Sequence, residues 1–199
     1  MSASPVTTVM LCGVGGQGTI LAADLLAKVA AGSGLDVKLS EVHGMSQRGG
    51  SVDTVVRFGE LVHSPVADPG TVDHLIAFEI IEAMRRVHFV RPEGRLLVNP
   101  AAIQPLPVLI GDAPVVHGLQ AILSDEGAIF IEADELACEA GSPKSANVVL
   151  MGALSVGLAF ETAVWNRVIS LRVPPKTVEA NLRAFELGRE ACQRGECAL

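Results

Sequence analysis

Six residues, Gly13-Val14-Gly15-Gly16-Gln17-Gly18, separate the apolar run Val9-Met10-Leu11-Cys12 from the helix-forming run Thr19-Ile20-Leu21-Ala22-Ala23-Asp24-Leu25-Leu26. Four glycines in six positions make a turn, so a strand ends here and a helix begins. The turn carries few side chains, and the backbone N–H groups of the helix start stay open to an anion or to a closely packed partner chain. Gly13, Gly15 and Gly18 satisfy G-x-G-x-x-G in the strand-loop-helix setting of a dinucleotide site, and Glu41 lies at the distance expected of a ribose-binding acid. A free-standing NAD(P)- or flavin-binding oxidoreductase is therefore one reading. ATP hydrolysis is disfavoured, because Thr19 stands where a P-loop requires lysine. The same glycines also suit a tight turn that binds nothing.

The rest of the pattern is α/β. Thr7 to Cys12 reads as the first strand and Gly18 to Ala31 as the first helix, with Leu21, Leu25 and Val29 on one face. Leu35 to Val42 alternates as a half-buried second strand, and the β-α-β order favours a parallel pair. A polar loop, His43-Gly44-Met45-Ser46-Gln47-Arg48-Gly49-Gly50, leads into the β-branched run 51–58. Gly59-Glu60 then predicts a hairpin turn into Leu61–Ser64. Further strands are expected at Val72–Phe78, Arg95–Asn99 and Ala128–Glu132, with a short one at Val108–Ile110 in the proline-rich stretch 100–118. Helices are expected at Glu79–Phe89, Leu119–Asp125, Ala133–Ala140 and after Pro174-Pro175, where Val178, Leu182 and Phe185 form a stripe. Residues 146–160 are apolar on nearly every face, as in a helix covered on both sides by core or by a partner. The expected fold is a three-layer, Rossmann-like domain over residues 1–199, with a mixed, mainly parallel sheet and an antiparallel hairpin.

Composition narrows the function. A net charge of −7 without a basic cluster offers no phosphate-neutralising surface for nucleic acid. The N-terminal residues lack a basic leader and the longest apolar segment is too short to span a bilayer, so a cytoplasmic protein without a membrane partner is expected. Cys12, Cys138, Cys192 and Cys197 contain no C-x-x-C pair, and the five histidines lack metal-ligand spacing. A metal site is not expected. A nucleophile elbow beginning at Gly44-Met45-Ser46 fails because Arg48 replaces its second glycine and a strand follows.

Four blocks together carry a resemblance: Gly13 to Gly18, Arg48-Gly49-Gly50-Ser51, Asn147-Val148-Val149-Leu150-Met151-Gly152-Ala153-Leu154, and Asn181-Leu182-Arg183-Ala184-Phe185-Glu186-Leu187-Gly188. In this order they resemble the gamma domain of the thiamine-diphosphate-dependent 2-oxoacid:ferredoxin (flavodoxin) oxidoreductases. The string from His43 to Gly50 is most similar to the small beta subunit of the indolepyruvate enzymes. The resemblance implies a non-catalytic or accessory subunit of an enzyme that converts a 2-oxoacid and CoA to acyl-CoA and CO2, passing electrons to ferredoxin. The chain has no Gly-Asp-Gly motif for magnesium diphosphate, since Gly111-Asp112-Ala113 stops short, and no cluster cysteines. Thiamine diphosphate, Mg and iron–sulfur clusters are then expected in large partner subunits, and this chain alone is expected to be inactive. The cofactor- or partner-contact residues so implied are Gly13, Gly15, Gly16, Gln17, Gly18, Ser46, Gln47, Arg48, Gly49, Gly50 and Asn147, with CoA phosphates as one candidate ligand. An apolar segment 146–160 facing a partner would make the isolated chain a homo-oligomer.

Overall fold

The computed structural model describes residues 6–44 and 49–193. Six strands, β1 Thr7–Val14, β2 Asp36–His43, β3 Ser51–Gly59, β4 Val72–Ala77, β5 Val90–Val98 and β6 Ala128–Phe130, form one sheet in the order β2-β3-β1-β4-β5-β6. β1, β4, β5 and β6 are parallel neighbours, while β3 is antiparallel to both β1 and β2. The mixed, three-layer α/β expectation therefore holds, but two of its details change.

The first and second strands are not neighbours, because β3 lies between them. Its residues alternate buried and half-buried, which suits an interior strand. β2, with Asp36, Lys38, Ser40, Glu41 and His43, takes the edge, where polar residues remain in water. The antiparallel element is consequently β2–β3, joined across residues 44–50, and not a hairpin turning at Gly59-Glu60. β3 has both edges paired, so Leu61–Ser64 finds no strand to join. That segment is held by side chains instead: the Val62 N–H donates to Asp36 Oδ2 at 2.8 Å, and Arg57 Nη1 donates to the carbonyls of Ser64 and Val66.

Helices α1 Thr19–Gly32, α5 Ala133–Glu139, α6 Ala146–Ser155, α7 Thr162–Arg172 and α8 Val178–Ala191 contribute to the core on one face of the sheet. Helices α2 Ile80–Arg86 and α4 Leu119–Asp125 contribute to the core on the other. The sheet side chains divide accordingly, with Val9, Leu11, Ile76 and Leu97 on the first face and Met10, Cys12, Leu75 and Leu96 on the second. This alternation is the period of two expected of strands covered on both sides.

Three further expectations are corrected. Val108–Ile110 is not a strand: residues Leu106–Leu109 form one helical turn, α3, behind Pro105. Pro105 and Pro107 lack the N–H groups a ladder needs, whereas proline is tolerated in a first helical turn. The strand expected at Arg95–Asn99 begins earlier, since β5 starts at Val90 and takes in Arg91-Pro92-Glu93-Gly94, opposite an irregularity between Val72 and His74. Of the segment 146–160 expected to face a partner, Asn147 to Ser155 is covered by this chain itself, being nine of the ten residues of α6, while Val156, Gly157 and Ala159 beyond the helix are exposed.

Helix α6 is buried because α8 lies directly on its backbone. A Cβ at Gly152 would come 2.0 Å from the Phe185 carbonyl oxygen, and one at Gly188 would come 2.0 Å from that of Val149. The two glycines let each helix rest on the other's main chain. Beside this contact Trp165 of α7 and Phe185 of α8 pack with ring centroids 5.4 Å apart.

Candidate functional site at the carboxyl ends of the strands

The connection after β1 passes to one face of the sheet and that after β4 to the other. Between two such parallel neighbours, the carboxyl ends open into the crevice where α/β proteins commonly bind ligands. Here the crevice is occupied by the chain itself. Gln17 turns inward, its Oε1 accepting from the Val14 N–H at 2.7 Å and its Nε2 donating to the Phe78 carbonyl at 3.1 Å. Asn99, at the end of β5, donates to the same carbonyl at 3.2 Å and to Asp134 Oδ2 at 2.9 Å, while its Oδ1 accepts from the Ala133 N–H. Two carboxamides thus tie together the ends of β1, β4 and β5 and the start of α5.

The glycines divide into distinct roles around this plug. Gly13 is not in the loop but still in β1, paired with Val52. A Cβ there would lie 2.8 Å from Gln17 Oε1 and 2.9 Å from Phe78 Cβ, so the missing side chain makes room for Gln17. Gly16 and Gly18 have φ of 108° and 83°, in the left-handed region that glycine enters without strain. At Gly18 a Cβ would also lie 2.7 Å from Asn147 Nδ2, and that amide donates to the Gly18 carbonyl at 3.3 Å. Asn147, 4% exposed, is therefore the link from α6 to the loop; its Oδ1 accepts from the Val148 N–H at its own helix start.

The second glycine-rich stretch meets the first. The Gly15 N–H donates to the Gly50 carbonyl at 2.8 Å and the Gly49 N–H to the Gly15 carbonyl at 3.4 Å. Gly15, Gly16, Gln17, Gly18, Gly49, Gly50 and Asn147 thus form one assembly at one end of the sheet. Ser46, Gln47 and Arg48 lie outside the described residues.

An open cleft of about 780 Å³ lies outside the plug, between the start of α1, the end of β2 and the start of β3. Gly15, Gly16 and Gly18 form one wall, Ile20 and Leu21 the next, and Glu41, His43 and Val52 the opposite side. No side chain caps the start of α1. Asp24, also in the cleft, forms ion pairs with Lys28 and with Arg172, the latter at 2.6 Å. Although burial opposes it, the two cations hold this carboxyl below its ordinary range. Glu41 does reach the cleft, but from β2 with β3 interposed, so the adjacent-strand geometry of a dinucleotide site is lost.

On the opposite face of the sheet a polar cluster anchors the start of β3. Ser51 Oγ donates to Glu82 Oε2 at 2.6 Å, Arg85 bonds the other Glu82 oxygen, and Arg86 pairs with Asp53 at 2.6 Å. Glu79 caps α2 by accepting from the Glu82 N–H, and burial pushes its carboxyl up against the bonds from backbone N–H groups. The sequence reading missed this cluster and Asn99. An acidic residue three positions before Glu82, directly after an apolar strand, was the available signal for the cap.

Cys12 lies in β1 within this environment, its thiol pushed up by burial and then by Asp53 and Glu82. Such a thiol is a packing group and not a nucleophile or ligand. Cys138 is exposed on α5, and among the described residues no group of three His, Cys, Asp or Glu side chains is arranged for a metal ion.

Residues 8–191 match the family described as pyruvate ferredoxin/flavodoxin oxidoreductase. The chain is 41% identical over 192 residues to the indolepyruvate oxidoreductase subunit IorB of Thermococcus kodakarensis, covering 93% of this chain and 95% of that one. It is 27% identical over 196 residues to the 2-oxoglutarate synthase subunit KorC of Methanothermobacter marburgensis, covering 94% and 97%. The fold is similar to the gamma subunit of a keto/oxoacid ferredoxin oxidoreductase from Geobacter sulfurreducens, with a TM-score of 0.70 and 24% identity over 94% of this chain and 99% of that one. It is also similar to part of the 2-oxoglutarate:ferredoxin oxidoreductase of Magnetococcus marinus, solved with 2-oxoglutarate, coenzyme A and succinyl-CoA. That match has a TM-score of 0.73 at 21% identity and covers 96% of this chain but 32% of the other.

Proposed function

The chain belongs to the pyruvate ferredoxin/flavodoxin oxidoreductase family, and from that membership we propose that it is the accessory, non-catalytic subunit of an indolepyruvate- or arylpyruvate-oxidising, ferredoxin-reducing enzyme. The observation that carries this reading is the length of the match. The relative named as an indolepyruvate oxidoreductase subunit is covered over 95% of its own length, so that subunit is this fold and little else. Thiamine diphosphate, Mg and the iron–sulfur clusters then belong to a larger subunit, in keeping with the missing Gly-Asp-Gly and cysteine motifs. The single domain acts in the cytoplasm as part of this complex.

The glycine assembly is the part of the chain offered to that reaction. Its inner side is closed by Gln17, and its outer side presents backbone amides at the uncapped start of a fourteen-residue helix. Such a surface receives a phosphate or carboxylate, and Arg48, the residue before Gly49 in the sequence, is the cation assigned to the same ligand. Coenzyme A is the ligand that this arrangement suits, phosphates toward Gly18 and the uncapped start of α1. Glu41 repels further anionic charge and leaves the far wall to neutral or hydroxyl-bearing groups.

Reconstitution tests both statements. The purified chain should not reduce viologen dye with an arylpyruvate and CoA, and the complex with the large subunit should. Turnover by the chain alone would overturn the accessory role. Arg48→Ala in the complex should raise the CoA concentration needed for half-maximal rate while leaving the 2-oxoacid requirement nearly unchanged. Identical CoA dependence at identical subunit composition would remove CoA from the assignment.

A further inference from the structure

Half of the large hydrophobic side chains exposed among the described residues lie within 103–122, and Leu106, Leu109, Ile110 and Val116 are 60–69% exposed. Between Arg95 and Asp125 the only formally charged residue is Asp112. Four prolines, Pro100, Pro105, Pro107 and Pro114, keep this stretch from extending the sheet, and none of the α3 residues is buried. The segment folds back over α2, leaving a groove of about 480 Å³ whose walls include Ile81, Met84, Val108 and Val116, with Arg85, paired to Glu82, as its one charged lining residue. A chain that worked alone would gain solubility from polar residues at these positions, since contiguous apolar patches on monomers are usually small.

We infer that this largely apolar face is the surface by which the chain docks onto the larger, cofactor-bearing subunit of its oxidoreductase. The inference rests on the accessory-subunit reading and adds the location and chemistry of the contact. Two observations select that occupant over a second copy. In the Magnetococcus enzyme this fold makes up about a third of one longer polypeptide, so there its nearest neighbour in sequence is the remainder of the enzyme. Each copy of the present chain carries a net charge of −7, which opposes self-association. The face is also separate from the glycine cleft, which lies on the α1 side of the sheet, whereas α2 and α4 lie on the other. One face can therefore be held by the partner while the cleft stays open.

The test uses the full chain with the large subunit. Leu106→Glu/Leu109→Glu alters two exposed side chains on a one-turn helix and should leave circular dichroism and Tm unchanged while weakening assembly on the order of 100-fold. Leu109→Met should assemble like the parent. Hydrogen exchange in the parent complex should slow across 103–122. Assembly of the double variant at parental affinity, or unchanged exchange in this segment, would overturn the assignment. So would a homodimer of the isolated chain that the double variant dissolves while the complex still forms. Failure of the parent chain to bind the large subunit at all would overturn the accessory-subunit reading itself, a result separable from the others.

Discussion

Gln17 occupies the position where a Rossmann-type protein would admit its ligand, and both ends of its side chain are bonded. Removing it leaves the Val14 N–H and one bond to the Phe78 carbonyl unsatisfied in a partly buried setting. Gln17→Ala should therefore cost about 1–3 kcal/mol in urea unfolding. Gln17→Glu should cost at least as much, because a carboxylate oxygen would then face the Phe78 carbonyl. His74 in β4 is a second residue whose setting makes a measurable prediction. Burial, followed by the charge of Arg95, lowers it from 6.5 to about 4 despite Asp73, and its Nδ1 has no hydrogen-bond partner among the described residues. The unfolded chain thus takes up a proton below about pH 6.5 that the folded chain refuses until about pH 4. Stability is fully present above that window and falls as pH drops through it, by at most about 3 kcal/mol. His74→Gln should flatten this part of the pH–stability curve, and an unchanged slope would show that other groups produce it.

At the scale of elements, the pairing of α6 with α8 explains two of the four sequence blocks that carry the family resemblance. Gly152 and Gly188 are helical, and alanine in a helix would ordinarily gain up to about 1 kcal/mol. Here a Cβ would stand 2.0 Å from a backbone oxygen of the facing helix, which cannot rotate away as a side chain can. The clash dominates. Gly152→Ala and Gly188→Ala should each destabilise by about 3 kcal/mol or more, or prevent folding, as measured by thermal unfolding. Asn147 at the start of α6 would move with the helix, so a milder variant that folds should also disturb the loop at Gly18.

For the whole molecule, the two faces of the sheet carry different chemistry. The α1 side holds a polar cleft with backbone amides and ion pairs; the α2 side holds, beside the Glu82–Arg85 and Asp53–Arg86 pairs, a largely apolar surface over 103–122. An association made through the latter should depend weakly on ionic strength. Raising salt from about 0.05 to about 0.5 M should change the Kd for the large subunit by less than about threefold, measured by calorimetry. A steep loss of affinity over that range would indicate a charged contact, and with it the polar side of the molecule.

Local chemistry in the sequence sufficed for the strand–glycine–helix start, the α/β character, the positions of most helices and the four family blocks. Each depends on residues close together along the chain. The order of strands did not follow from such spacing, because whether β3 inserts between β1 and β2 depends on which strand best tolerates burial on both edges. Nor did periodicity separate a helix covered by its own chain from one covered by a partner: α6 has the same apolar pattern in either case, and only the approach of α8 at Gly152 decides it. The glycine motif could equally cradle a cofactor or close on itself. That choice belongs to Phe78 and Asn99, 61 and more residues away from Gln17, whose positions exist only once the sheet has formed.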